Sequence, residues 1–188
     1  MRLDEMIEVR IGKNLSRWSE KFESSFDAYS YENLISDLDG QFLDSLEMTQ
    51  PRKVNDDSYS CDYGDVVFSF VSSKASVVSR KNHGKVINQN FAKLIFDSKQ
   101  IDRHYICYVL NESPTIKRQM AIGMQGSTIP KMTPAVLKAL EFTCPQIAIQ
   151  KTIGEAYFLS RKRMALAKKE IELEQILYLK LLNELDRQ

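Results

Sequence analysis

The chain has 188 residues, 43% of them apolar and 27% charged, which places it with globular proteins rather than disordered ones. Its 26 Lys and Arg against 25 Asp and Glu leave a net charge of +1, so the overall charge gives no pointer to nucleic acid. No run of 18 apolar residues exists to span a membrane, the start MRLDEMIEVRIGK is too charged for a signal peptide, and Cys61, Cys107 and Cys144 read as reduced thiols of a cytoplasmic protein.

Ile7, Val9 and Ile11 alternate with charged residues, which predicts a half-buried strand ending at Gly12. Residues 13–60 are polar and acidic. Within them, Ser30 followed by YENLISDL predicts a short capped helix stopping near Gly40, and Thr49 to Ser60 reads as a loop. Gly64-Asp65 is a turn, after which Val66 to Val71 (VVFSFV), Ala75 to Ser79 and Asn90 to Phe96 read as strands. The last two flank a basic turn at Asn82-His83-Gly84-Lys85. Asp102 is placed to cap a helix in which Ile101, Tyr105, Tyr108 and Val109 recur at helical spacing. Pro114 opens another helix, which Gly123 and Gly126 break. Thr133-Pro134 starts a third, running to about Leu140, and Glu141 to Cys144 is extended.

From Gln146 to Gln188 there is no proline and one glycine, Gly154, which predicts a helix of about 40 residues, about 60 Å long. Met164, Ala167, Ile171, Tyr178, Leu181 and Leu185 form a rough coiled-coil seam, interrupted by Glu174. Leu166, Leu173 and Leu177 form an offset stripe, so the helix is expected to pack on more than one neighbour. The fold class expected is α+β: a compact domain over 1–145, with a twisted, mostly antiparallel sheet and short helices, followed by a long coiled-coil-type helix over 146–188.

The near-zero charge hides an asymmetry. Residues 1–65 hold 15 acids and 7 bases, whereas residues 66–140 hold 3 acids and 11 bases. Val66 to Phe96 contains no acid, but it contains Lys74, Arg80, Lys81, Lys85 and Lys93. Ser113 to Leu140 is also acid-free and holds Lys117, Arg118, Lys131 and Lys138. Such clusters either attract phosphates or are balanced on folding by the acidic first third.

Several chemistries lack their residues. The seven glycines never form a phosphate-cradling loop, and two histidines with three scattered cysteines make no zinc pattern. His104 and Cys107 share a helical face, where a buried thiol is the expectation, and His83 sits in the basic turn. A metal-dependent nuclease would need converging acids with a nearby lysine. Asp62 and Asp65 flank a strand start, but no acid-x-Lys follows.

Five short patterns then occur in order: Gly64-Asp65-Val66-Val67, Asn90-x-Ala92-x-Leu94, Tyr105-Ile106-x-Tyr108-Val109-Leu110, Gly126-Ser127-Thr128-Ile129-Pro130-x-Met132, and Leu140 with Pro145 and Gln150. In order and spacing over about 125 residues they resemble the specificity subunit of type I restriction-modification systems. The chain departs from that pattern where Cys144 precedes Pro145 and Ile149 precedes Gln150, in place of the family's usual second proline and Glu. Residues 13–60 match no motif. A full-length subunit of the family has two recognition modules in tandem, whereas this chain has one, as a natural half-subunit or a fragment.

The resemblance implies a non-catalytic target recognition domain that binds double-stranded DNA. Its long helix would pair with that of a second copy, so that a homodimer reads a bipartite site. It also implies a methyltransferase subunit as partner, carrying S-adenosylmethionine, with a nuclease/translocase subunit as a further one. No cofactor or metal is expected on this chain. Beside it, the residues nominate Lys74, Arg80, Lys81 and Lys85 for phosphate contact, with Lys117 and Arg118 on the polar side of the next helix. Gln125, Ser127, Thr128 and Lys131 are nominated in a loop near the groove, which read blandly is a plain turn between helices. Met164, Ala167, Ile171, Tyr178, Leu181 and Leu185 would line the dimer helix. The competing reading is a coiled-coil adaptor whose basic face binds an acidic protein.

Overall fold

A computed structural model of the chain describes residues 1–14, 27–40, 59–125 and 132–187. Four strands form one antiparallel sheet: β1 (Glu8–Ile11), β2 (Val66–Ser69), β3 (Lys74–Val77) and β4 (Phe91–Ile95), in the order β1-β4-β2-β3. The helices are α1 (Tyr31–Leu38), α2 (Arg103–Glu112), α3 (Pro114–Gly123), α4 (Pro134–Ala139) and α5 (Ile147–Asp186). Single 3-10 turns occupy Leu3–Glu5 and Arg80–Asn82. The α+β class and the long C-terminal helix agree with the sequence.

The register explains the strand composition. Val66 and Phe68 pair with Leu94 and Ala92 on one face, while Val67 pairs with Lys93 and Ser69 with Phe91 on the other. Both faces are covered, so β2 reads as a continuous apolar run rather than an alternating one. The first face packs on α2, with Ile106 and Leu110 beneath Phe68 and Leu94. The second packs on α1 and its flanks, with Tyr29, Leu34 and Cys61 against Val67, Val78 and Phe91. Two strands end two residues earlier than the sequence predicts. β2 stops at Ser69 because Phe70 to Ser73 form the turn to β3, with Ser73 in the left-handed region at φ 53°. β3 stops at Val77, where the chain leaves toward the basic turn. In β1, Val9 is buried but Ile11 is 40% exposed at the sheet edge.

The edge strand β3 is closed by a side chain. The Ala75 amide donates to Asn111 Oδ1 (2.7 Å), and Asn111 Nδ2 donates to the Ala75 carbonyl (2.8 Å). Asn111, 1% exposed near the end of α2, thus stands where a fifth strand would pair. The N-terminus is stitched to the segment before α5: the Leu3 amide donates to the Leu140 carbonyl (2.8 Å) and that of Phe142 to the Met1 carbonyl (3.0 Å).

Helix starts follow the capping residues. Ser30 Oγ accepts from the Asn33 amide, Asp102 Oδ1 from those of His104 and Tyr105, and Thr133 Oγ1 from that of Val136. The expected division at 145/146 falls one residue before α5, yet the first turns of α5 belong to the packing of the body. Ile153, Tyr157 and Phe158 lie against the main core. Gln150, Gly154, Tyr157 and Arg161 form one stripe at helical spacing that meets the body. Beyond Ala165 every described residue of α5 is exposed. No helix among the described residues is long and apolar enough to cross a membrane.

Candidate nucleic-acid interface

Much of the acid-free stretch finds acids from elsewhere on folding. Lys93, buried in β4, pairs with Asp65 at 2.6 Å. Lys85 is only 15% exposed; its Nζ lies 3.5 Å from Asp27 and 3.2 Å from Asn33 Oδ1, tying the basic turn to α1. Lys74 and Lys117 converge on Glu112, at 3.6 Å and 2.7 Å. Burial pushes the Glu112 carboxyl up, but the Lys117 hydrogen bond and the charges of Lys74, Lys117 and Arg161 outweigh it and hold it below its ordinary value. These lysines therefore present less free charge than the sequence implies.

The remaining candidates stay at the surface. Arg80 and Lys81 project from the 3-10 turn after β3 and are exposed, with the Arg80 guanidinium 5.3 Å from the ring centroid of Tyr63, itself 54% exposed. Arg118 on α3 and Gln125 in the turn after it are exposed. Ser127, Thr128 and Lys131 lie outside the described residues. Lys74 and Arg80 are six residues apart along an extended run, at most about 20 Å. The candidates thus form two groups: Lys74, Glu112 and Lys117 at one end of the β3–α2 layer, and Tyr63, Arg80, Lys81 and His83 at the other. Sequence reading missed Tyr63 and Arg103. Arg103 is exposed and donates to the Gly64 carbonyl (3.3 Å), and a cation at helix position one is a signal the sequence carried.

The turn bearing Arg80 and Lys81 is anchored from below. Asn82 is fully buried, and its Nδ2 donates to Asp37 Oδ1 (2.8 Å). Tyr29 Oη donates to Asp37 Oδ2 (2.8 Å). Asp37 is 4% exposed, and among the described residues no cation pairs with it. Burial raises its pKa against the hydrogen bonds that favour the anion. His83 Nδ1 accepts from the Tyr63 amide (3.3 Å) and lies 3.4 Å from Asp62.

The other reactive-looking groups are structural. Cys107 is fully buried and its thiol is pushed far up by burial; the Cys61 thiol is raised to about 12 for the same reason and donates to the Lys85 carbonyl (3.1 Å). His104 is shifted down by burial and stacks edge-on to Phe158 at 4.8 Å. Among the described residues no three of His, Cys, Asp and Glu are grouped to hold a metal ion. Asp65 is engaged with Lys93, and Asp62 faces His83.

At the far end of the molecule, Met164, Ile171, Tyr178, Leu181 and Leu185 are 65%, 64%, 64%, 47% and 66% exposed, and Ala167 is exposed. Leu166, Leu173 and Leu177 are exposed as well, so the apolar surface wraps more than one side of α5.

Solved structures share this fold, among them three specificity-subunit or type I system chains. The HsdS subunit from Thermoanaerobacter tengcongensis aligns with a TM-score of 0.52 at 17% identity, covering 91% of this chain and 39% of that one. The type I restriction-modification S subunit from M. genitalium aligns at 0.51 and 14%, covering 94% and 42%. A chain described under complex assembly and conformational transition of the type I R-M system aligns at 0.50 and 16%, covering 94% and 43%. The chain thus spans about two fifths of the length of each. No curated protein matches it by sequence. The model of the type I restriction modification DNA specificity domain matches residues 1–175, body and most of α5 together, and the chain belongs to that family.

Proposed function

We propose that the chain is a non-catalytic, sequence-reading DNA-binding module of a cytoplasmic type I restriction-modification system, one recognition domain per chain. Two copies joined through the distal half of α5 would read a bipartite duplex site and bring a methyltransferase subunit to it. The methyl donor S-adenosylmethionine would be held by that partner, and a nuclease/translocase subunit would complete the assembly. The observation that carries this reading is the family match running through both the body and the helix. It is supported by exposed cations on the turn after β3 and on α3, and by apolar surface on α5 that is exposed among the described residues.

In this reading Arg80, Lys81, Lys117 and Arg118 contact phosphates, while Gln125 and the following Ser127, Thr128 and Lys131 approach base edges. Lys74 and Lys85 assist mainly through the ion pairs that shape the surface. Binding to a duplex carrying the target is expected to weaken as salt is added. Arg80→Gln with Lys81→Gln should lower the slope of log affinity against log salt by about 2. Fluorescence anisotropy across a salt series measures it, with the methyltransferase subunit present. Duplex binding that is absent or indifferent to salt would instead favour the coiled-coil adaptor whose basic face binds an acidic protein.

A further inference from the structure

Four parts of the acidic first third hold the basic turn in place. Asp27 and Asn33 fix Lys85, the Tyr29 amide donates to the Val86 carbonyl (2.9 Å), and Asp37 holds Asn82. Of these, Asp37 is the least expected. It is an acid buried with no cation among the described residues, a placement that costs stability and is offset only by the hydrogen bonds it accepts, from Tyr29 and Asn82 among them. Among the described residues its bond to Asn82 is the one side-chain hydrogen bond that Asn82 makes, and Asn82 Oδ1 has no partner there. Asn82 in turn is the last residue of the 3-10 turn whose first two residues are Arg80 and Lys81. A short turn with exposed long cations has few ways to keep them aimed, and a buried amide clamped by a carboxylate supplies one.

We propose that Asp37 is the positioning residue of the DNA-contacting turn. Through Asn82 it fixes the backbone from which Arg80 and Lys81 reach the phosphates, and it touches no nucleic acid itself. The inference rests on the reading above, in which those two cations meet the duplex.

The test is a double-mutant cycle on the full chain with the methyltransferase subunit, reading duplex affinity by anisotropy and fold by near-ultraviolet circular dichroism. Asn82→Ala should weaken duplex binding several-fold in the wild-type background and add nothing in the Arg80→Gln/Lys81→Gln background. A loss of equal size in both backgrounds, or unchanged affinity in a folded Asn82→Ala protein, overturns the proposal. A second pair covers the case in which Asn82→Ala does not fold. Asn82→Asp sets two carboxylates against each other and should lose affinity, and the exchange Asp37→Asn/Asn82→Asp should restore it by reversing the hydrogen bond. An exchange as weak as Asn82→Asp alone also overturns it. If Arg80→Gln/Lys81→Gln leaves binding unaltered, the contact role of the two cations fails first and the positioning role goes with it.

Discussion

Gly154 shows how one atom fixes where α5 crosses the body. A Cβ built there would lie 2.5 Å from the Tyr105 amide nitrogen and 2.7 Å from the His104 carbonyl carbon, both backbone atoms at the start of α2. Alanine normally favours a helix over glycine by about 1 kcal/mol. Here the overlap wins, because neither backbone can give way without straining the hydrogen bonds by which Gln150 ties α5 to the start of α2. Gln150, 1% exposed, accepts from the Asp102 amide (3.0 Å) and donates to the carbonyls of Gln100 (2.9 Å) and Pro145 (2.8 Å). Gly154→Ala is therefore expected to destabilise the fold by about 1–3 kcal/mol, as overpacking does, read from the urea midpoint. Asp37 makes a prediction of opposite character. Its folded pKa is raised by burial above the unfolded value. Its favourable contribution is thus complete below the unfolded pKa and is lost as the pH rises through the folded one. Asp37→Asn removes that dependence, so the midpoint of the natural protein should fall relative to the variant as the pH is raised from the acid side toward neutrality. A gap between the two that stays constant from pH 4 to 8 would refute the burial argument.

Among the elements, what depends on neighbours in sequence was legible and what depends on distant partners was not. Ser30, Asp102 and Thr133 announce their helices because a cap bonds residues two or three places on. The strands at Val66, Lys74 and Phe91 follow from apolar runs between turn residues, apart from a shift of one or two residues at their ends. The charge pattern was legible only as a sum. Glu112 receives Lys74 across 38 positions, and Asp27 receives Lys85 across 58, which no local pattern encodes. The role of Asn111 was equally hidden, since its amide meets Ala75 36 residues away. That contact is open to test. Asn111→Leu would leave a buried N–H and a buried C=O of β3 without partners, at about 1–3 kcal/mol each. A lowered urea midpoint with unchanged far-ultraviolet circular dichroism would show it; a variant as stable as the natural protein would mean that water or another group satisfies the edge.

At the scale of the whole molecule the question is where the body ends energetically. Packing against the core runs through Phe158, and Arg161 makes an ion pair with Asp39 at 2.6 Å. A cut at the start of α5 would therefore strip away Gln150, Gly154 and Tyr157 and expose core, confusing dimerisation with unfolding. A cut after Ala165 leaves the body intact, since every described residue beyond it is exposed. The 22 residues from 166 to 187 measure about 33 Å of helix, and burying one of their Leu or Ile side chains contributes about 1.5–3 kcal/mol. Several such side chains buried at once outweigh the cost of associating two chains, estimated at about 4–15 kcal/mol. The full chain is thus expected to be dimeric, or co-purified with a partner on the helix. The chain ending at Ala165 should be a folded monomer with a melting temperature close to that of the full chain. Sedimentation equilibrium of both proteins separates the outcomes. A shortened chain that still dimerises would move the joining surface onto the body, and two-copy reading of a bipartite site would then need a geometry other than paired helices.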